Sequence, residues 1–134
     1  MTNTSSQGIA LITGGNRGIG YATALSLAKR NIPIVFTSRD AARGQASADK
    51  IRALVPGAQV EVLSLDLASM ASIRAFAAAF LARGTPLRAL INNAGAMGLG
   101  KQIEFTQDGF EMEFGTNHLG HFLLTGLLLS LIHI

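Results

Sequence analysis

The residues best placed to do chemistry form one glycine-rich series, Thr13-Gly14-Gly15-Asn16-Arg17-Gly18-Ile19-Gly20, directly after the apolar run Ile9-Ala10-Leu11-Ile12. A strand that turns sharply into a helix at such a series needs positions without a Cβ, and it aims free backbone N–H groups and the positive helix end at an anion. Gly14, Gly18 and Gly20 meet that need. The series therefore reads as a phosphate-binding turn, with a tight turn that holds no ligand as the plainer alternative. Further candidates are Asp66-Leu67, Asn92-Asn93-Ala94-Gly95 and Asn117. His118 and His121 invite a zinc site, but their spacing lacks a third ligand or a convergent carboxylate, so both are expected on a helix surface or at an interface and no metal is expected. With no cysteine in the chain, a thiolate site, a cysteine nucleophile and a disulfide scaffold are excluded.

These residues must be positioned by an alternation of short apolar runs and longer helical patterns, which is the rhythm of βαβ units. Strands are expected at Ile9–Ile12, Ile34–Thr37, Gln59–Leu65 and Leu87–Ile91. Between them lie a helix from Gly18 to Arg30, a second capped by Asp40 and stopped at Pro56-Gly57, and a third capped by Ser69 and closed by Gly84. A last helix is expected to start near Asp108, after a glycine-rich loop, and no fifth strand is visible. Right-handed crossovers give an α/β fold, the N-terminal half of a Rossmann-like doubly wound parallel sheet with strand order 3-2-1-4.

The spacing Thr-Gly-x-x-x-Gly-x-Gly, with Asp66-Leu67, Asn92–Gly95 and Asn117, resembles the short-chain dehydrogenase/reductase family over nearly the whole chain. The run Phe114-Gly115-Thr116-Asn117-His118-Leu119-Gly120-His121-Phe122-Leu123-Leu124-Thr125 further resembles the branch containing retinol dehydrogenases and protochlorophyllide reductases. The resemblance implies that Gly14, Asn16, Arg17, Gly18, Ile19 and Gly20 follow the cofactor phosphates and adenosine ribose. It places Asp66 and Leu67 at adenine, and Asn92, Ala94 and Gly95 beside the cofactor. It gives Asn117 a catalytic part, supporting an ordered water in a proton relay beside a lysine.

Arg17 and Arg39 are placed to meet a 2′-phosphate, whereas Asp40 reads as a helix cap, so NADP(H) is preferred and NAD(H) remains possible. The family's acid/base tyrosine, the lysine four residues after it and its serine cannot be assigned: the single tyrosine, Tyr21, is followed at that spacing by Leu25. The implied serine lies at the end of a fifth strand. The expectation is thus the cofactor-binding half of an oxidoreductase that moves hydride between NADP(H) and a small carbonyl or alcohol substrate, inactive by itself. The alternative is a non-catalytic nucleotide-binding or interaction module.

The 134 residues suit one domain. Hydrophobic residues make up 49% and charged residues only 14%, which suits a piece of a larger body or a homo-oligomer when complete. All 11 lysines and arginines fall at or before Lys101, scattered rather than clustered and with no tryptophan beside them, so nucleic-acid binding is not expected. The polar start, residues 1–7, reads as a loose arm without the features of a secretory signal, and the absence of cysteine fits the cytoplasm. The lipophilic stretch Phe122–Ile134 is interrupted by Thr125, Gly126, Ser130 and His133 and falls short of the ~20 apolar residues of a membrane span. Its last six residues, Leu129-Ser130-Leu131-Ile132-His133-Ile134, match one reading frame of a transposon end used in tagmentation libraries. The expectation is a cofactor-binding domain over 1–128 and an adapter-derived tail over 129–134.

Overall fold

A computed structural model describes residues 8–98, 100 and 102–132. The N-terminal arm and the last two residues, on which expectations were stated, lie outside the described residues. Strands β1 (Ile9–Ile12), β2 (Ile34–Ser38), β3 (Val60–Ser64) and β4 (Leu87–Ile91) form one sheet in the order β3-β2-β1-β4, all neighbours parallel. That is the expected order. Helices α1 (Gly18–Ala28), α2 (Ala41–Leu54) and α3 (Met70–Ala82) fill the crossovers. A π-helical segment, Phe114–Gly120, runs straight into α4 (His121–Leu128).

The continuous apolar strands are explained by cores on both sheet faces. Successive residues of a strand point to opposite faces. Thus Leu11 and Val35 join a cluster with Ile73, Phe76, Phe80 and Leu124 from α3 and α4, while their neighbours Ile12 and Phe36 join Ala24, Ala28, Ala48 and Ile51 from α1 and α2. The helix caps follow the sequence: Asp40 accepts from Arg43 N–H at 3.0 Å and Ser69 from Ser72 N–H at 3.2 Å. Past α4, Leu129–Leu131 make a 3-10 turn, and Ile132 forms an isolated parallel bridge to Leu87 on β4.

One expected boundary is corrected. The last helix does not begin near Asp108, because that carboxylate is used elsewhere: it accepts from Met70 N–H at 2.8 Å, at the start of α3. Residues 104–112 instead fold back on themselves, with Phe105 bridged to Glu111 and Gly109 at φ +83° in the turn. The helix starts after Glu111, whose carboxylate accepts from the N–H groups of Glu113 and Phe114 at 2.9 and 2.8 Å. Those two bonds hold its pKa below the usual carboxylate value. The first helix likewise stops at Ala28 rather than Arg30, before Asn31 turns into the left-handed region at φ +58°.

Candidate functional site

The C-terminal ends of all four parallel strands open onto one side, where the order reverses between β1 and β4. Ligands in open α/β sheets bind at that crevice. Here it is a cleft of about 590 Å³, within the size range of small-molecule and cofactor sites.

The β1–α1 turn forms its floor. Gly14 adopts φ +68° and packs so closely on Ala94 that a Cβ there would come within 3.0 Å of the Ala94 Cβ. Gly18 adopts φ +56°, and a Cβ on it would meet nothing within 4 Å, so the turn is open on its outer side. Arg17 stands at the helix cap position in extended backbone, and its side chain makes no capping hydrogen bond. The first N–H groups of α1 therefore have no side-chain cap from Arg17, the arrangement that suits a helix N-terminus to an anion. Asn16 and Ile19 also line the cleft, and the Asn16 carbonyl accepts from Ser47 Oγ at 2.7 Å, which fastens the turn to α2.

Gly20 does not line the cleft. A Cβ there would overlap the Gly14 carbonyl oxygen and come within 2.5 Å of Asn93 Nδ2, so its part is to let α1 close on the turn. The β2 end contributes Arg39, beside Asp40 and Arg43. The Asp40 carboxylate faces Arg43, accepting from its backbone and lying 3.5 Å from its guanidinium nitrogen. Asp66 and Leu67 form the wall after β3, and Asp66 Oδ1 also accepts from Ala68 N–H at 2.9 Å.

The opposite wall comes from β4 and the π-helical segment. Ala94 and Gly95 line the cleft together with Asn93, to which the sequence motif gave no separate role, and with Met112 and Thr116, which the sequence did not single out. Asn93 Nδ2 donates to the carbonyls of Thr13 and Gly14, both at 3.1 Å, and so ties β4 to the turn. Asn92 is directed elsewhere, donating to Thr125 Oγ1 on α4 at 3.0 Å. Asn117 stands behind the wall rather than in its lining: its amide holds Ala96 through both backbone groups, accepting from N–H at 2.6 Å and donating to C=O at 2.8 Å. Glu113 adds a bond from Gly98 N–H at 2.6 Å. Gly120 lets the π-helical segment pack against the wall after β3, since a Cβ on it would lie 2.7 Å from the Leu67 carbonyl oxygen.

The histidines divide. His118 is exposed and stacks on Phe114 with ring centroids 5.3 Å apart. His121 is not a surface residue: it is 7% exposed, with Nε2 2.8 Å from Thr13 Oγ1 and Nδ1 3.0 Å from the Asn117 carbonyl. Burial pushes its pKa below the ordinary value, and the Asn117 hydrogen bond acts in the opposite direction. Among the described residues, no group of three His, Cys, Asp or Glu side chains could hold a metal ion. None of the helices among them is long and apolar enough to cross a membrane.

The model of one known family, described as short chain dehydrogenase, matches residues 8–133, a span that includes the glycine turn, the crevice at the strand reversal and the wall clamped by Asn117. The chain belongs to that family. It is 50% identical over 122 residues to retinol dehydrogenase 12 of Mus musculus, covering 91% of this chain and 38% of the relative. Mouse polyprenol dehydrogenase is 49% identical over 121 residues, covering 90% of this chain and 36% of the relative. Among solved structures, a metagenomic short-chain oxidoreductase in complex with NADP superposes with a TM-score of 0.79 at 30% identity, covering 93% of this chain and 56% of that one. The chain thus spans 36–38% of the length of the curated relatives named here.

Proposed function

We propose that this chain forms the NADP(H)-binding part of a short-chain oxidoreductase that transfers hydride between NADP(H) and a small carbonyl or alcohol substrate. The observation that carries the reading is the charge at the β2 end of the cleft. Arg39 lines it with Arg17 and Arg43, while the one acid beside them, Asp40, is held on Arg43 as the cap of α2. A site selective for NAD(H) places an acid on the ribose hydroxyls, and this arrangement presents guanidinium groups instead.

The residues present fit such a dinucleotide. The floor at Gly14 and Gly18 would take the pyrophosphate against the start of α1, and Asp66 with Leu67 would flank the adenine. Ala94 and Gly95 would border the nicotinamide-bearing half, with Asn117 fixing that wall through Ala96. When bound, the cofactor would supply or accept the hydride. Proton transfer needs a further acid/base, and Tyr21, the single tyrosine, packs beside the core of α1 and α2. The 134-residue chain alone is therefore read as a nucleotide-binding module without turnover.

Two assays test this. The purified chain, given NADPH and a panel of aldehydes, ketones and quinones, should oxidise none above a Gly14→Trp control. Arg39→Ala should weaken NADPH by about tenfold, the loss of one charge-assisted contact, and leave NADH nearly unchanged. Equal losses for the two nucleotides would overturn the assignment to NADP(H).

A further inference from the structure

Thr13 Oγ1 lies at the meeting point of four groups. It accepts from Asn93 N–H at 2.9 Å and Ala94 N–H at 3.0 Å, and it lies 2.8 Å from His121 Nε2 and 3.5 Å from the Ile91 carbonyl. A hydroxyl has one proton and two lone pairs. Both lone pairs are taken by the two amides, so the proton goes to the nearer remaining acceptor, His121 Nε2, and the Ile91 carbonyl is at the far limit of hydrogen bonding. Nε2 must then be bare. On the other side of the ring, Nδ1 faces the Asn117 carbonyl, which can only accept, so Nδ1 carries the hydrogen. The partners from β1, from the end of β4 and from the helix are Thr13, Asn93, Ala94 and Asn117, none of them titratable.

We propose that His121 is a positioning residue for the nucleotide cleft: as the neutral Nδ1–H tautomer, it joins the Thr13–Ala94 floor to the helix whose Asn117 clamps Ala96. The inference rests on the nucleotide-binding reading above and assigns a role to a residue outside the cleft lining. Thr13 and His121 are 108 residues apart in sequence, and among the described residues the ring is the one side chain that bonds both the strand-end hydroxyl and the Asn117 main chain. Without it, Thr13 keeps its two amides but its proton loses a well-placed acceptor in a buried site, and the strand ends beneath the cleft can part from the helix that clamps Ala96. A nucleotide that touches the floor and the clamped wall would then have to order them on binding.

The test uses the full 134-residue chain labelled with 15N-histidine, the His121 ring being identified by the signal missing from His121→Phe. At neutral pH the ring should show a protonated Nδ1 and an unprotonated Nε2; the opposite tautomer overturns the proposal. NADPH affinity is then measured at a temperature where circular dichroism shows each variant folded. His121→Phe should bind about tenfold more weakly, as expected for one unsatisfied buried donor, and His121→Gln, whose amide oxygen can accept from Thr13, should recover part of the loss. The double variant Thr13→Val/His121→Phe should bind no more weakly than the worse single variant, because both ends of one bond are then gone. A folded His121→Phe chain with unchanged NADPH affinity overturns this role alone. An unaltered chain that binds no NADPH overturns the nucleotide reading as well. If His121→Phe does not fold, the His121→Gln affinity and the ring tautomer decide.

Discussion

At the glycine-turn end of the cleft the geometry comes from side chains that are missing, whereas at the Ala94–Gly98 end it comes from side chains that reach across. Gly14 and Gly20 let backbone approach backbone, Gly18 supplies a left-handed turn position, and the turn is held from outside by Ser47 and Asn93. Beyond Ala94, which packs on Gly14, the far wall is held differently. Asn117, Glu113 and, through Thr13, His121 hold it by hydrogen bonds to main-chain atoms. A backbone-built end tolerates no added atom, while a network-built end tolerates volume and fails when a partner is lost or gains a proton.

The largest effect should come from adding one methyl group at the first end. Gly20→Ala puts a Cβ onto the Gly14 carbonyl oxygen, which is backbone and cannot turn aside. The change should destabilise the chain by about 1–3 kcal/mol in urea melts and remove nucleotide binding. A variant that melts and binds as the unaltered chain does would show that the turn is not backbone-packed. Next, Asn93→Ala removes the donor shared by the Thr13 and Gly14 carbonyls. Its expected cost is about 1–2 kcal/mol, smaller than an overlap because water can reach part of the gap. A loss exceeding that of Gly20→Ala would show that the turn is held more by its side-chain ties than by its backbone packing.

Acid should act on the network end first. With its folded pKa held below 6.5, His121 binds more protons in the unfolded chain than in the folded one, so stability rises with pH across that interval. It is therefore lost progressively as pH falls below about 6.5 towards the folded value. Urea midpoints should fall over that range in the unaltered chain and less so in His121→Phe, with parallel profiles contradicting the account. The smallest effect is expected away from both ends. Arg83→Ala removes a 2.6 Å ion pair with Glu61 on the outer face of the sheet edge. Both partners are partly exposed, so at most about 1 kcal/mol should be lost and NADPH affinity should not change.

The same contrast decides what could be read from the sequence. Apolar runs bounded by turn residues placed all four strands to within two residues, and Gly14 and Gly18, whose left-handed backbone only glycine adopts easily, marked the turn between β1 and α1. Asp40 was legible as a cap because a cap and its partner are three residues apart. The network was not legible. Periodicity along a helix says that His121 lies one turn from Asn117, but not that β1 ends on a hydroxyl aimed at its ring, a contact between residues 108 apart. The Asp108 boundary failed for the same reason, since its acceptor is claimed by Met70, 38 residues earlier. Asn93 was named within its motif but without its role, because spacing alone does not say which of two adjacent asparagines turns towards β1 and which towards Thr125.

The central claim is that the β2 end of this cleft recognises a 2′-phosphate through Arg17, Arg39 and Arg43. Calorimetric titration of the 134-residue chain with 2′,5′-ADP and with 5′-AMP addresses it most directly, because the two ligands differ by that phosphate alone. Saturable one-to-one binding of 2′,5′-ADP is expected, at least about tenfold tighter than 5′-AMP and weakening as salt is raised. Equal affinity for the two ligands, at any salt concentration, would contradict it.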